Sequence, residues 1–340
     1  MGVKGIVTMS TVARAAGVVP STVSKALRDD PSISDALKEK IQKVAKELGY
    51  RPNPLVATLM AQLHGTRRRS DPHHIAWVDL WPKGTDEALL YIILKPMLTG
   101  ARQRAEELGF RIEVHRAVVN NITPVRLKQI LTARAQWGVI IPPVPEASTN
   151  YDLDMRGLAG VTIGTSLHSP ALHRVAANHY QGGLLAFDRL TQKGFSRIGM
   201  VSSPALNDRV DRKWLAAFLA AQFQLPKARR VPPLLATAAE QAEVARWLQR
   251  HNPEVLLIGE PEVLAWPCVA KRVDAGKLRI AWLGLLGRDG KGVWGVDYQP
   301  ERLGRVAIDL VVGQIHRNER GLPDSADTVL INGVWVETGS

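Results

Sequence analysis

The feature that most constrains the fold is a pair of short amphipathic segments, joined by a glycine, within the first thirty residues. Thr8 is placed to cap the first segment as a helix, and Gly17 ends it because glycine accepts the left-handed conformation of a sharp turn. Pro20 then stands where a first-turn proline is favoured in a second helix. The apolar positions recur at helical spacing: Val12, Ala13 and Ala16 in the first segment, and Val23, Ala26 and Leu27 in the second. The pattern predicts two short helices around a tight turn.

A third amphipathic segment follows, with Ser34 placed to cap it and Gly49 to end it. Its apolar positions are Leu37, Ile41, Val44 and Leu48. Three such helices can just close a small core, and the second would present a polar outer face. The residues of that face are Ser21, Thr22, Ser24 and Lys25. This arrangement is typical of a helix-turn-helix that places its second helix in the major groove, although a plain helical hairpin fits the same pattern.

The charge distribution also sets the first part of the chain apart. Residues 1–70 contain 12 Lys and Arg against 5 Asp and Glu, so this fifth of the sequence carries more than half of the net charge of +12. A local basic excess attracts polyanions, because each neutralised phosphate releases a counterion. Nucleic acid is the natural partner, and a solvated basic face is the alternative.

Two stretches closely resemble the headpiece of the lactose/galactose repressor (LacI/GalR) family. They are TMSTVARAAGVVPSTVSKAL, from Thr8 to Leu27, and SISDALKEKIQKVAKELGYRPNP, from Ser32 to Pro54. The resemblance implies that Lys25 contacts base edges together with Pro20 and Ser21, with Ser10 as a further candidate, and that Thr22 and Ser24 lie near phosphates. Its whole DNA-binding set is Thr8, Ser10, Pro20, Ser21, Thr22, Ser24, Lys25, Ser34, Asn53 and Leu59. One departure is Val19, which replaces the family's usual serine N-cap; the loss of such a cap costs about 1 kcal/mol.

The segment NPLVATLMAQL, from Asn53 to Leu63, resembles the family's hinge helix, which forms in the minor groove of DNA. Leu59 matches the leucine that wedges between base pairs, although an apolar stripe pairing two subunits is the alternative. Val56 and Ala57 depart from the family pattern. The arginines at 67–69 suit phosphate contacts, or form an exposed linker.

From Ile75 onward, short β-rich runs alternate with helical stretches, which predicts βαβ units and parallel sheets. The expected strands are IAWVDLW, FRIEVHR, WGVIIPP, GVTIGT, RIGMVSS, EVLLIG, RIAWLG and VWGVDY. The expected helices are Tyr91–Leu108, Val125–Ala135, Gly182–Lys193, Arg212–Gln222, Glu240–Arg250 and Pro300–Arg317. The resemblance implies a periplasmic-binding-protein-like core of two Rossmann-like lobes, with the chain crossing between them three times.

The expected fold is therefore an all-α helix-turn-helix headpiece joined to an α/β core. The headpiece is expected at residues 1–53, a hinge helix and basic linker at 54–72, and an effector-binding and dimerisation domain at 73–340. In that domain, lobe 1 is expected at about 75–175 and 297–320, and lobe 2 at about 176–296 and 321–340.

A cleft between two such lobes predicts a small-ligand site. Sugar-responsive members of the family carry an arginine, an asparagine or aspartate, and an aspartate there, but the matching places in this chain hold Trp214, Gly259 and Leu286, with Glu260 adjacent. The polar set is missing from the pattern. The candidates that remain are Trp81, Tyr91, Asn207, Arg209, Arg212, Trp214, Trp282 and Asp297, with Asp208 a weaker one. Burial of the tryptophans in the lobe cores is the alternative.

No catalytic motif, metal-ligand spacing or phosphate loop occurs, so no enzyme, metal or cofactor is expected. The pair His73 and His74 has no spaced partner ligand, and Cys268 lies in an apolar helical stretch. One cysteine permits no intrachain disulfide, and no apolar run is long enough to span a bilayer; a cytoplasmic protein without membrane contact is expected, nucleoid-associated when bound to DNA.

The sequence therefore predicts a homodimeric transcriptional repressor that binds a palindromic DNA operator and responds to a small effector of unknown identity. The alternative is a cytosolic ligand-binding protein whose headpiece no longer reads DNA, which the departures at Val19 and Ala57 would favour.

Overall fold

The computed structural model describes residues 9–27, 33–48, 50, 73–85, 87–147, 149–285 and 292–338. The chain divides into two compact units, Met1–Asp71 and Pro72–Ser340. Among the described residues, the regular elements of the first unit are all helices and every strand lies in the second unit, so the expected fold class is confirmed.

The described residues of the first unit form three helices. Its helices are α1 (Met9–Ala16), α2 (Pro20–Leu27) and α3 (Asp35–Glu47). Their apolar stripes meet in one core, whose buried members are Val12, Ala13, Ala16, Val23, Ala26, Ile41 and Ala45. Small residues on α1 and α2 let three short helices approach closely enough to exclude water.

The start of α3 differs in one respect from the prediction. Ser34 occupies the N-cap position with an extended backbone, but its side chain makes no capping hydrogen bond. The Ser34 carbonyl instead accepts the first helical bonds, from the backbone N–H groups of Leu37 and Lys38 at 3.0 Å each. Because Ser34 is exposed, water can serve its hydroxyl and the remaining free N–H groups of the first turn.

The second unit contains two six-stranded sheets. Its strands are β1 (His73–Asp79), β2 (Phe110–Arg116), β3 (Gly138–Ile141), β4 (Thr149–Asn150), β5 (Ala159–Ile163), β6 (Leu167–Ser169), β7 (His173–Ala177), β8 (Ile198–Ser202), β9 (Leu234–Leu235), β10 (Val255–Ile258), β11 (Arg279–Trp282), β12 (Trp294–Asp297), β13 (Thr328–Ile331) and β14 (Val334–Glu337). Its α-helices are α4 (Glu87–Glu107), α5 (Pro124–Ala133), α6 (His179–Gln192), α7 (Pro204–Arg209), α8 (Lys213–Phe223), α9 (Gln241–His251), α10 (Pro267–Asp274) and α11 (Pro300–Arg317).

The first sheet has the order β13-β7-β5-β3-β1-β2 and is parallel throughout. Alternate residues of β1 face opposite ways: Ile75 and Trp77 join the core under α4 and α11, whereas Ala76 and Val78 join the core under α5. A parallel sheet covered by helices on both faces explains why its strands are continuous apolar runs. This sheet and its helices form lobe 1.

The second sheet has the order β14-β12-β11-β10-β8-β9. It is parallel except for the edge strand β14, which pairs antiparallel with β12. Helices α6 and α8 cover one face, and α9 and α10 cover the other. This sheet and its helices form lobe 2.

The chain passes between the lobes at three places, which we call the crossing segments: Ala177–His179, Asp297–Pro300 and Ile331–Val334. The expected assignment of residues 321–340 to lobe 2 is wrong in part. Strand β13 pairs with β7 in the lobe 1 sheet, in the register Thr328 to Arg174, and only β14 belongs to lobe 2. The physical reason is the free edge of β7, where Val329 and Ile331 extend the lobe 1 core.

Two glycines bring α4 and α11 into close contact in lobe 1. A Cβ on Gly100 would collide with the Glu301 carbonyl, and a Cβ on Gly304 would collide with the Met97 carbonyl. The two helices therefore cross backbone to backbone, and each glycine is required by the other helix's main chain.

Candidate nucleic-acid interface and interlobe cleft

The turn between α1 and α2 is built by its glycine. Gly17 has a φ of +73°, the left-handed conformation that its position predicts. The Val18 N–H donates to the Ala13 carbonyl at 2.9 Å, closing the end of α1. The chain is thereby reversed within three residues and α2 begins at Pro20.

Val19 stands at the start of α2 without a side-chain cap. Its carbonyl accepts from the N–H groups of Thr22 at 2.9 Å and Val23 at 3.2 Å, and its side chain is 60% exposed. An exposed valine at this place gains nothing from burial. The helix start is therefore held by backbone bonds and by the fixed φ of Pro20.

Helix α2 has a buried face and an outer face. Val23 and Ala26 are fully buried, Thr22 is partly buried, and Pro20 and Lys25 are exposed. Ser21 lies one helical turn before Lys25 along α2, a spacing that puts the two positions on one side of the helix. The described outer positions therefore include a proline and a long cation, and the cation can donate to guanine O6 or N7.

The other DNA-binding candidates fall in different places. Ser24 lies on α2, Ser10 lies on α1, and Ser34 precedes α3. Thr8, Asn53 and Leu59 lie outside the described residues, together with the whole segment 54–72.

In the second unit, the cleft between the lobes is lined by loops that follow parallel strands. Trp81 follows β1, Pro145 follows β3 and Thr165 follows β5, while Arg209 ends the short helix that follows β8. All four therefore lie at the carboxyl ends of their strands, where ligand sites of parallel α/β sheets are found.

Arg209 joins the two lobes across this cleft. Its guanidinium carbon lies 5.2 Å from the centre of the Trp81 ring, and its Nη1 donates to the Pro145 carbonyl at 2.8 Å. In return, the Thr165 hydroxyl donates to the Arg209 carbonyl at 2.9 Å. Burial lowers the pKa of Arg209 from its usual value.

Trp81 is held firmly on the lobe 1 side. It is 4% exposed, its indole Nε1 donates to the Pro143 carbonyl at 2.7 Å, and its backbone N–H donates to Asp79 Oδ1 at 2.9 Å. Burial raises the pKa of Asp79. The indole is therefore a fixed platform whose contact across the cleft is Arg209.

Trp214 belongs to a second group of rings, which we call the aromatic cluster: His179, Trp214 and Tyr298. The Trp214 Nε1 donates to Tyr298 Oη at 2.9 Å, and the His179 ring lies edge-on to both, with centroids at 4.9 and 4.8 Å. His179 Nδ1 is buried without a hydrogen-bond partner, and burial lowers the His179 pKa to about 3. Burial also raises the pKa of Tyr298.

The aromatic cluster adjoins all three crossing segments. His179 ends the first segment and Tyr298 lies in the second; a Cβ on Gly333, in the third, would lie 3.0 Å from Tyr298. His179 and Tyr298 were not among the sequence candidates. Neither belongs to a motif, and only their positions after a strand and before a helix could have drawn attention to them.

The remaining effector candidates are dispersed. Arg212 pairs with Asp208 within lobe 2 at 3.0 Å, Asp297 accepts from the Gln299 N–H at 2.8 Å, and Trp282 is 6% exposed in the lobe 2 core. Asn207 is 5% exposed, with its Oδ1 unpartnered. Tyr91 lies on α4.

The places that depart from the sugar-responsive pattern serve packing. Gly259 is buried, and a Cβ there would press on Leu206 and Trp214. Glu260 accepts from both the N–H and the hydroxyl of Ser203, which begins α7. Leu286 lies outside the described residues.

Within the described ranges, no group of three or more His, Cys, Asp or Glu side chains is placed to hold a metal ion. His74 Nδ1 lies 3.9 Å from Glu113. Cys268 lies on α10, partly buried against the lobe 2 core. Among the helices that the structure describes, none is both long and apolar enough to cross a membrane.

Comparison with known proteins gives a family match for the headpiece and more distant matches for longer parts of the chain. A family model of bacterial regulatory proteins, the lacI family, matches residues 8–53. The regulator MalR of Streptococcus pneumoniae serotype 4 is 27% identical over 196 residues, 57% of this chain and 56% of its own length, so the matched region spans about half of that relative. PtxS of Pseudomonas putida is 23% identical and matches 91% of this chain and 89% of its own.

Solved structures share the fold. A CelR–cellobiose complex superposes with a TM-score of 0.51 at 19% identity, covering 97% of this chain and 98% of its own. A LacI-family regulatory protein from Chloroflexus aggregans gives a TM-score of 0.55 at 13% identity, covering 78% of this chain and 98% of its own. The fold and the headpiece define a protein with a helix-turn-helix domain and a two-lobed α/β core. Residues 8–53 match the lacI family model, and 78% of the chain shares the fold of a LacI-family regulatory protein.

Proposed function

We propose that the chain is a sequence-specific DNA-binding transcriptional regulator whose α2 reads base edges in the major groove. The observation that carries the proposal is the geometry of α2. Val23 and Ala26 fix it to the core, while Pro20 and Lys25 face outwards, in the unit that the lacI family model matches. The basic excess of residues 1–70 supplies attraction to the phosphates.

The finer proposal is a homodimeric repressor that binds a palindromic operator in the cytoplasm, where its site is on the nucleoid. Two identical headpieces match the two halves of a palindrome. The DNA-binding set remains the one that the resemblance implies, including Leu59 as a minor-groove wedge. The regulatory names of MalR and PtxS support regulation rather than catalysis.

We further propose that the interlobe cleft is the effector site. Its loops lie at the carboxyl ends of both sheets, and a protein of this fold has been solved as a CelR–cellobiose complex. A thermal-shift screen of sugars, sugar phosphates and purines tests the site. A ligand at 100 times its Kd adds about 2.7 kcal/mol to the stability of the folded chain.

The substitution Lys25→Ala tests the DNA-reading role. An operator is first selected from a random DNA pool with the full chain, and affinities for it and for random DNA are then measured by gel shift. Lys25→Ala is expected to lower the preference for the operator about tenfold, since one base contact contributes about 1–3 kcal/mol of discrimination, and to leave binding to random DNA largely intact.

Lys43→Ala is the matched control, because it removes the same charge from an exposed position on α3. It is expected to leave the preference for the operator over random DNA unchanged. An unchanged preference in Lys25→Ala would show that α2 does not read the operator.

The second candidate function is ligand binding without DNA reading, which the uncapped Val19 favours. Failure of the full chain to enrich any sequence from the pool, combined with a hit in the thermal-shift screen, would support this candidate instead.

A further inference from the structure

The contacts of Arg209 with Trp81, Pro145 and Thr165 connect the lobes directly, and we call these four residues the clasp. Each lobe both donates and accepts: lobe 2 donates through Arg209 Nη1 to Pro145, and lobe 1 donates through Thr165 Oγ1 to the Arg209 carbonyl. The guanidinium also covers the Trp81 ring. Three contacts on one residue fix its position against lobe 1 in distance and in orientation.

Trp81 and Arg209 lie far from the crossing segments in strand order, whereas Thr165 follows β5, the neighbour of β7. In the lobe 1 sheet the crossing segments leave from β7 and β13, whereas β1, which precedes Trp81, is three strands away from β7. In the lobe 2 sheet they enter at β12 and β14, whereas β8, which precedes α7, is three strands away from β12. The contact of Arg209 with Trp81 therefore joins parts of the two sheets that the crossing segments do not tie together.

The crossing segments have their own hydrogen bonds. Asn178 Nδ2 donates to Asn332 Oδ1 at 2.8 Å, Gln299 Nε2 donates to the Asn332 carbonyl at 3.1 Å, and the Gly333 N–H donates to Gln181 Oε1 at 3.0 Å. These bonds hold the three segments side by side. They do not restrain the opposite side of the cleft, so another contact has to determine whether that side is open or closed.

Arg209 can provide this contact because its guanidinium is buried away from water. Burial alone accounts for the direction of its pKa shift, and no carboxylate among the described residues forms an ion pair with it. A guanidinium stacked on an indole and bonded to a carbonyl is stabilised by cation–π attraction and by a charge-assisted bond.

We propose that Arg209 holds the interlobe cleft closed. An effector then has to displace the Arg209 guanidinium from Trp81 and Pro145 before it can enter. The consequence for regulation rests on the proposed function, since an effector would act by opening a closed cleft. The closure itself depends on neither DNA nor an effector.

The test is an intrachain distance measured by pulsed electron paramagnetic resonance on the full chain without ligand. Spin labels are placed at Val125→Cys on lobe 1 and Glu243→Cys on lobe 2, both exposed positions, in a Cys268→Ser background. Labelled protein is diluted with unlabelled protein so that only distances within one chain are recorded. The unsubstituted clasp is expected to give one narrow distribution.

Arg209→Ala is expected to add a second distribution at a different distance, holding at least half of the molecules. Arg212→Ala is the matched control: it removes the same charge three residues along the chain, from an exposed side chain that pairs with Asp208 inside lobe 2. It is expected to leave the narrow distribution unchanged. If Arg209→Ala and Arg212→Ala both match the unsubstituted protein, the proposal is wrong.

If Arg209→Ala does not fold, as judged by circular dichroism, Thr165→Val is the second test. It keeps the side-chain shape and removes one hydrogen bond, which predicts a second distribution that the unsubstituted protein lacks. An equal population in Thr165→Val and the unsubstituted protein would overturn the proposal. Because no DNA is used, this result and the outcome of the operator experiment are independent.

Discussion

At the scale of the residue, His179 shows how burial decides what a polar side chain can do. Its ring lies edge-on to Trp214 and Tyr298, and its Nδ1 has no partner. Desolvation is the main cause that lowers its pKa to about 3, and the charge of Lys213 acts in the same direction. His179 is therefore neutral over the physiological range and serves as an aromatic ring.

A pH dependence follows from this shift. The unfolded chain binds a proton at His179 below a pH of about 6.5, but the folded chain does not until the pH approaches 3, so stability is lost as the pH falls between these values. Between pH 7 and pH 5 we expect the unfolding free energy of the unsubstituted chain to fall by about 2 kcal/mol more than that of His179→Phe. Urea titrations followed by tryptophan fluorescence measure this difference.

His168→Gln is the control, since His168 is an exposed histidine in the same unit. The unfolding free energy of His168→Gln is expected to change with pH as that of the unsubstituted chain does. Parallel pH curves for the unsubstituted chain and His179→Phe would contradict the neutral, buried imidazole.

At the scale of the element, the crossing of α4 and α11 depends on the absence of two side chains. Gly100 and Gly304 each face a carbonyl of the other helix. Backbone cannot move aside as a flexible side chain can, so an added methyl group must push the helices apart.

Gly304→Ala is expected to lower the unfolding free energy of the second unit by about 2–3 kcal/mol, because overpacking against backbone costs this much or more. Gly313→Ala is the matched control on the same helix. Its Cβ would meet only the far end of the Arg317 side chain, and alanine favours the helix by up to about 1 kcal/mol. Equal urea midpoints for the two variants would show that the helices do not cross as closely as described.

The elements that the sequence predicted best are those whose first and last residues carry clear start and stop signals. Helix α11 agrees with its predicted bounds, since Pro300 begins it and Asn318 ends it in a left-handed conformation. Strand β13 was missed because its residues alternate between exposed and partly buried positions, and an edge strand of four residues carries little periodicity. The six-residue helix α7, which carries Arg209, was missed because it is too short to show any period.

At the scale of the whole molecule, the headpiece could be predicted and the clasp could not. The signals for the headpiece are local, since its turn, its helix starts and its apolar stripes lie within forty residues. Arg209 and Trp81 are far apart in sequence, and their contact depends on how two lobes meet. The sequence named both residues as cleft candidates, but it held no signal that they touch each other.

The two units also have separate cores, which can be tested with intrinsic probes. All nine tryptophans lie between Trp77 and Trp335, so tryptophan fluorescence reports the second unit alone. Ile41→Ala removes a fully buried side chain from the headpiece and is expected to cost about 2–5 kcal/mol, enough to unfold so small a domain. We expect DNA binding and part of the helical circular dichroism to be lost, while the fluorescence midpoint in urea is unchanged.

Leu131→Ala is the reciprocal variant, because Leu131 is fully buried in the lobe 1 core. It is expected to lower the fluorescence midpoint. A lower midpoint in Ile41→Ala as well would show that the two units unfold together.

The three crossing segments have a mechanical consequence for the far side of the cleft. Parallel links at one edge fix an axis, so displacement grows with distance from it. Strand β3, which precedes Pro145, is two strands from β7, roughly 9.5 Å, and a rotation of about 10° would move the loop after it by about 1.7 Å. Such a movement stretches the Arg209–Pro145 bond beyond the range of a hydrogen bond. The contacts of the clasp are therefore either formed or broken. A gradual rotation of the lobes is converted into two distinct states, one with the clasp formed and one without it.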